Sequence, residues 1–167
     1  MRESIIGFFE FLPPELTTLV IAALPIIELR GSIPYGVGVA GLHWLPVYAI
    51  SVAGNLLPVL PLLLYLGPVS RWMSRLPALG RFFDWVFARA RRKSGAVERY
   101  GPWGLALFVA IPLPVTGAWT GCAAAYVLGM PFRRSFPAIA GGVLVAGVVV
   151  TLAVQGVIGL GGLLKGH

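Results

Sequence analysis

The sequence predicts an all-α integral membrane protein with two inverted repeats, each a re-entrant broken-helix hairpin followed by a transmembrane helix. Three observations predict this fold. The 167 residues are 57% hydrophobic and 11% charged, and the mean hydropathy of +0.86 is too high for a domain surrounded by water. Charged residues are absent from long blocks of the chain. Prolines and glycines interrupt the apolar segments in the same order in both halves.

The uncharged blocks are long enough to cross a bilayer. Gly31–Ser70, Tyr100–Phe132 and Ser135–Leu164 contain no Asp, Glu, Lys or Arg, and each exceeds the roughly 20 residues that span the hydrocarbon core. We therefore expect one multi-pass domain over residues 1–167 in the cell (inner) membrane. Its predicted parts are an interfacial segment at 1–12, a first repeat at 13–67, a basic linker at 68–99 and a second repeat at 100–160.

The first repeat opens with a helix that is too short to span. Pro13-Pro14-Glu15 is a favourable helix start, and the apolar run Leu16–Ile27 then covers about 18 Å of a core about 30 Å thick. We expect Glu28 to end this helix, Arg30–Pro34 to form a break, and Tyr35–Leu42 to form a second half-helix. Such a hairpin is tolerated at membrane depth where protein or a water cavity covers its backbone.

A full span is predicted to follow the hairpin. Trp44–Gly67 carries no formal charge, and its prolines Pro46, Pro58 and Pro61 predict kinks. The linker comes next, with eight of the 13 basic residues and two acidic ones in Arg71–Arg99. This basic excess predicts a cytoplasmic linker, with an amphipathic helix over Arg81–Val97 on the bilayer surface. Nucleic acid is not expected as a partner, because no stacking or groove-reading motif accompanies the charge.

The second repeat follows the same order as the first. It consists of a short helix, a break, a second short helix and a full span: Pro102–Ile111, Pro112–Gly117, Ala118–Leu128 and Ser135–Leu160. Matching residues are offset by 85 to 87 positions, as in Pro25 and Pro112, Gly36 and Gly121, and Pro46 and Pro131. An odd number of crossings per half would invert the second repeat, which is a transporter architecture. Both termini would then face outward.

Glu28 and Arg30 are the only charged residues between Leu16 and Ser70. An ionisable group inside a membrane is costly unless paired or hydrated, so we expect a functional site here. The alternative is that the two residues are solvated flanks at the membrane interface, or pair with each other only to brace the hairpin. The substrate-binding candidates surround both breaks: Glu28, Arg30, Gly31, Ser32, Thr116, Gly117, Trp119 and Thr120.

The candidate residues allow two kinds of substrate. Arg30 would bind a phosphate or carboxylate headgroup, aided by helix N-termini at Gly31 and Gly117, while Glu28 would couple transport to protons. For a hydrophobic cation, Glu28 would be the binding residue instead. Thr116 and Thr120 have a second interpretation, in which they satisfy backbone groups around the second break.

Other site classes have little support in the sequence. With one cysteine, Cys122, and two histidines, His43 and His167, we expect neither a metal site nor a cofactor. No Ser/His, Cys/His or paired-Asp arrangement predicts an enzyme. Asn55 is expected to link helices rather than bind substrate. Small residues on the last span make a homodimer plausible.

Two motifs, Glu28–Gly36 and Ile111–Gly121, together resemble the small multi-drug export protein family, relatives of the DedA superfamily. The resemblance extends over roughly Leu16 to Gly156. It implies two opposed re-entrant hairpins and translocation of a lipid-linked anion such as undecaprenyl phosphate, coupled to an ion gradient, whereas the family label implies drug export. A non-transporting scaffold is a further alternative. DedA-like proteins usually carry an arginine in the second hairpin, where this chain has Thr116-Gly117.

Overall fold

The chain folds into helices separated by short breaks that contain proline or glycine. The computed structural model describes residues 12–73, 88, 95–112 and 116–165. No strand occurs in this described part, so the all-α prediction is confirmed there. Its elements are α1 Pro14–Ala23, α2 Glu28–Pro34, a π-helical turn Tyr35–Val39, α3 Trp44–Leu56, α4 Val59–Met73, α5 Gly95–Tyr100, α6 Pro102–Ala110, α7 Ala118–Val127 and α8 Phe132–Lys165.

Two described helical segments are long and apolar enough to cross a bilayer. Trp44–Leu66 has 23 residues and Phe132–Gly159 has 28, close to the two predicted spans. A turn at Leu57-Pro58 separates α3 from α4 within the first segment, so the kink predicted at Pro58 is confirmed. Pro46 and Pro61 lie in the first turns of α3 and α4, where a proline removes no intrahelical hydrogen bond.

The first break differs from the predicted one. Arg30–Pro34 was expected to interrupt the helix, but it belongs to α2, and the break lies at Leu24–Ile27. Pro25 explains the difference, because a residue before proline avoids the helical region and Leu24 is extended with φ −72° and ψ 139°. Of the half-helix predicted at Tyr35–Leu42, Tyr35–Val39 is helical, as a π-helical turn that continues α2, and the predicted start and end are wrong. The second short helix begins at Glu28 and its helical residues end in the π-helical turn at Val39.

The second half agrees more closely with prediction. α6 and α7 match the two predicted short helices to within one residue at each end. Between them Pro112, Thr116 and Gly117 are not helical. Three parts of the prediction lie outside the described residues: Leu113–Val115, the interfacial segment up to residue 11, and most of the 68–99 linker including Arg81–Phe87.

The described residues divide into two compact units. The first contains those up to Asn55 and those from Gly147 onward, and the second contains Leu56–Ala146. In the first unit α1 packs against α2, and α3 approaches α1 at Gly54. A Cβ placed on Gly54 would lie 2.5 Å from the carbonyl oxygen of Leu19 and 2.9 Å from the Cβ of Ala22. A residue without a side chain is therefore required for this close helix packing.

The second unit contains a similar close contact between a glycine of one helix and the backbone of a short helix. Here α6 packs against α7, and α4 also packs against α7. A Cβ on Gly142 of α8 would lie 2.6 Å from the carbonyl oxygen of Ala106 and 2.7 Å from the Cβ of Val109. Gly54 and Gly142 thus make similar contacts, each against the backbone of a short helix in its own unit.

Candidate functional site

Glu28 begins α2 in an unusual backbone conformation. Its φ is +50°, and among the described non-glycine residues it alone has a positive φ. Its side chain is buried, with 6% of its surface exposed, and its backbone N–H donates to the carbonyl oxygen of Leu24 at 3.2 Å. The left-handed region is unfavourable for residues with a Cβ, and such strain is concentrated at functional sites.

Arg30 lies two residues further along the same helix and interacts with Glu28. It is half-buried, and the Glu28 carboxylate favours the guanidinium charge electrostatically. Burying either charge alone would cost several kcal/mol in an apolar medium. The two predicted charged residues therefore lie in the first unit, near enough for their charges to interact.

Ser32 joins α2 to α3 through a buried hydrogen bond. Its hydroxyl donates to the hydroxyl of Ser51 at 2.8 Å, and both side chains are fully buried. Ser51 is a polar contact that the sequence prediction missed. The available signal was the spacing of Val47, Ser51 and Asn55, because residues four apart lie on one face of a helix.

Two buried oxygen atoms of the first unit have no hydrogen-bond partner among the described residues: Oδ1 of Asn55 on α3 and Oγ1 of Thr17 on α1. Each residue has 1% of its surface exposed. Buried acceptors are normally satisfied, so such atoms call for an explanation. Asn55 was expected to link helices, but its carbonyl oxygen makes no such link in the described part of the chain.

The second group of predicted residues surrounds the start of α7. Thr116 and Thr120 are buried, and Trp119 is partly buried. The hydroxyl of Thr116 donates to the carbonyl oxygen of Ile111 at 2.9 Å. The hydroxyl of Thr120 accepts from the N–H of Gly117 at 2.9 Å. Both threonines thus satisfy backbone groups at the break, as their second interpretation predicted.

The two glycines expected to offer free N–H donors do not do so. Gly31 lies inside α2, where its N–H donates to the carbonyl oxygen of Ile27 at 3.3 Å. Gly117 precedes α7, but Thr120 accepts its N–H. The prediction that helix N-termini at Gly31 and Gly117 bind an anion is therefore wrong as regards these two N–H groups. Glu28, Arg30 and Ser32 share the first unit, and Thr116, Trp119 and Thr120 share the second.

We expect Thr120→Val to destabilise the protein by about 1 kcal/mol, because valine has the same shape but cannot accept the Gly117 N–H. Thr17→Val is the matched control, since the hydroxyl oxygen of Thr17 has no partner among the described residues. Denaturant unfolding of both variants in detergent micelles measures the difference. Equal stability of the two variants would show that the Thr120 hydrogen bond contributes nothing.

Metal ligands do not cluster in the described part of the chain, where no group of three or more His, Cys, Asp or Glu residues could hold an ion. Cys122 is buried on α7 and forms no disulfide. Its Sγ lies 4.0 Å from the carbonyl oxygen of Val59 on α4. This contact places Cys122 in the α4–α7 packing.

Comparison with known proteins identifies a family that this chain resembles. Residues 28–149 match the family described as "Putative small multi-drug export protein". The matched segment begins at Glu28 and includes every predicted substrate-binding residue. No curated protein and no solved structure matches the chain.

Proposed function

The chain belongs to the small multi-drug export protein family, and from this premise we propose that it is a small membrane transporter that exports amphipathic cations. One observation carries the proposal: the buried carboxylate of Glu28, held in a strained conformation where the first hairpin turns. A carboxylate attracts cations, and its attraction is strongest where water is excluded. Arg30, two residues further along the same helix, interacts electrostatically with this carboxylate.

The architecture supports transport as the function. Each half of the chain has two short helices around a break, followed by a segment long enough to span. Gly54 and Gly142 make matching contacts with a short helix of their own half, which supports an internal repeat. We propose that the repeats have opposite membrane topology, that the hairpins are re-entrant, and that the 68–99 linker is cytoplasmic. Broken helices in inverted repeats form substrate sites in many transporters.

Glu28→Gln is expected to reduce export of a lipophilic cation by at least about tenfold. The amide keeps the shape of the side chain but loses the charge, and a tenfold loss corresponds to about 1.4 kcal/mol of the electrostatic attraction that a carboxylate exerts on a cation where water is excluded. The measurement is efflux of tetraphenylphosphonium from cells that produce the full chain at equal levels. Glu15→Gln is the control, because Glu15 is exposed at the start of α1. Equal efflux by wild type and Glu28→Gln would refute the role of Glu28.

Arg30 supports a second candidate, translocation of a lipid-linked anion such as undecaprenyl phosphate. The guanidinium is half-buried, whereas the Glu28 carboxylate is buried, so the basic group is the more accessible one. A guanidinium binds phosphate through two parallel hydrogen bonds.

The same Glu28→Gln variant distinguishes the two candidates, because it retains Arg30. Movement of a labelled polyprenyl phosphate between the leaflets of proteoliposomes should survive this substitution, whereas cation export should not. A protein that moves neither probe would instead be a scaffold.

A further inference from the structure

Asn55 is a buried polar residue of α3 with no role in the proposed function so far. Its side-chain carbonyl oxygen is buried and has no partner among the described residues. A buried acceptor without a donor costs free energy, and a ligand that brings a donor removes that cost. Asn55 lies on α3, and Glu28 and Arg30 lie on α2. All three residues belong to the first unit.

Two contacts that α2 and the π-helical turn after it make with α3 show which residue of α3 lies at the same height as Glu28. A Cβ on Gly36 would lie 2.7 Å from the side chain of Val47. The Ser32 hydroxyl bonds to that of Ser51 at 2.8 Å. The two segments are therefore antiparallel, because Gly36 faces Val47 and Ser32 faces Ser51. Four further residues on each segment, about 6 Å along the helix axis, place Asn55 at the level of Glu28.

The direction of the Asn55 side chain follows from its helical position. A step of four residues turns an α-helix by about 40°, so Asn55 lies near the Ser51 face that meets α2. On its other side are Tyr48 and Val52, which lie against Gly147 of α8. By its helical position Asn55 lies between the side of α3 that meets α2 at Ser51 and the side that meets α8 at Tyr48 and Val52.

We infer that the carbonyl oxygen of Asn55 is a second substrate contact, which accepts an N–H from a protonated amine whose charge is held by Glu28. This inference rests on the proposed export of cations and narrows the substrate class. A carboxylate attracts any cation, but an amide oxygen needs a hydrogen-bond donor. Amines that carry an N–H are therefore preferred over quaternary ammonium ions, which have the same charge and no donor.

Two fluorescent probes test the preference. One is a dansyl-labelled propyl-dimethylamine, protonated at neutral pH, and the other is its trimethylammonium counterpart, in which a methyl group replaces the N–H. Fluorescence titration of the purified full-length protein in nanodiscs measures both affinities. Wild type is expected to bind the protonated tertiary amine about tenfold more tightly, as a charge-assisted hydrogen bond provides.

Asn55→Leu is expected to abolish this difference, so that the two probes bind with equal affinity. Leucine is close in size and removes an unpartnered acceptor, so the variant should fold at least as well as wild type. Thr17→Val is the matched control, because it removes the other buried unpartnered oxygen, which is further along α1 from the break. It should retain the tenfold preference.

The outcomes separate this inference from the proposed function. Equal affinity of wild type for the two probes would overturn the Asn55 contact while leaving cation binding intact, and so would a preference that persists in Asn55→Leu. Failure of both probes to bind wild type would overturn the proposed function and the Asn55 contact together. A preference present in wild type and Thr17→Val but absent in Asn55→Leu would establish the contact.

Discussion

Arg30→Met is expected to destabilise the protein by about 3 kcal/mol, and adding Glu28→Gln is expected to restore most of that stability. Removing one partner of a buried ion pair leaves the other charge buried without compensation, which costs about 3–5 kcal/mol. Arg30 is only half-buried, and partial hydration of its charge places the expected loss at the lower end. In the double variant no uncompensated carboxylate remains.

A double-mutant cycle measures this coupling. Wild type, Arg30→Met, Glu28→Gln and the double variant are unfolded by denaturant in the same micelles, and the coupling free energy is the departure from additivity. Glu15→Gln combined with Arg30→Met serves as the control, since Glu15 is an exposed carboxylate outside α2. Additive effects of Glu28→Gln and Arg30→Met would contradict an interaction between the two charges.

Gly54→Val is expected to be the most damaging single substitution in the helix packing of the first unit. Its Cβ would lie 2.5 Å from the carbonyl oxygen of Leu19 and 3.2 Å from the Cα of the same residue. Both are backbone atoms, so α1 as a whole must move away from α3. Overpacking of this kind costs about 1–3 kcal/mol or more. Export should fall as well, because α1 is one arm of the hairpin that carries Glu28.

Thermal unfolding and tetraphenylphosphonium efflux of Gly54→Val test both expectations. Gly156→Ala is the control, because a Cβ on this helical glycine would meet no atom within 4 Å and alanine favours helix. Gly142→Val should resemble Gly54→Val, since its Cβ would lie 2.6 Å from the carbonyl oxygen of Ala106. A Gly54→Val protein as stable as Gly156→Ala would contradict the close packing.

Sequence patterns predicted the elements that composition and local chemistry control. The spans near Trp44–Leu66 and Phe132–Gly159 follow from runs of uncharged apolar residues, since such runs are the main requirement of a bilayer core. The short helices α6 and α7 follow from the proline and glycine residues that flank them. Assigning the first break to Arg30–Pro34 was wrong because Pro25 interrupts the helix earlier, and Gly31 and Pro34 fit within the helical turns after it.

The sequence by itself determined that this is a membrane protein of small broken helices with two charges, Glu28 and Arg30, in an apolar block. Those features depend on residue type and spacing along the chain. Only the tertiary structure decided which buried groups are satisfied: Ser32 by Ser51, and Gly117 by Thr120, while Oδ1 of Asn55 has no partner among the described residues. Hydrogen bonding depends on atoms that helix packing brings together across the chain. For this reason Asn55 became a candidate for substrate contact only once the structure had placed α2 beside α3.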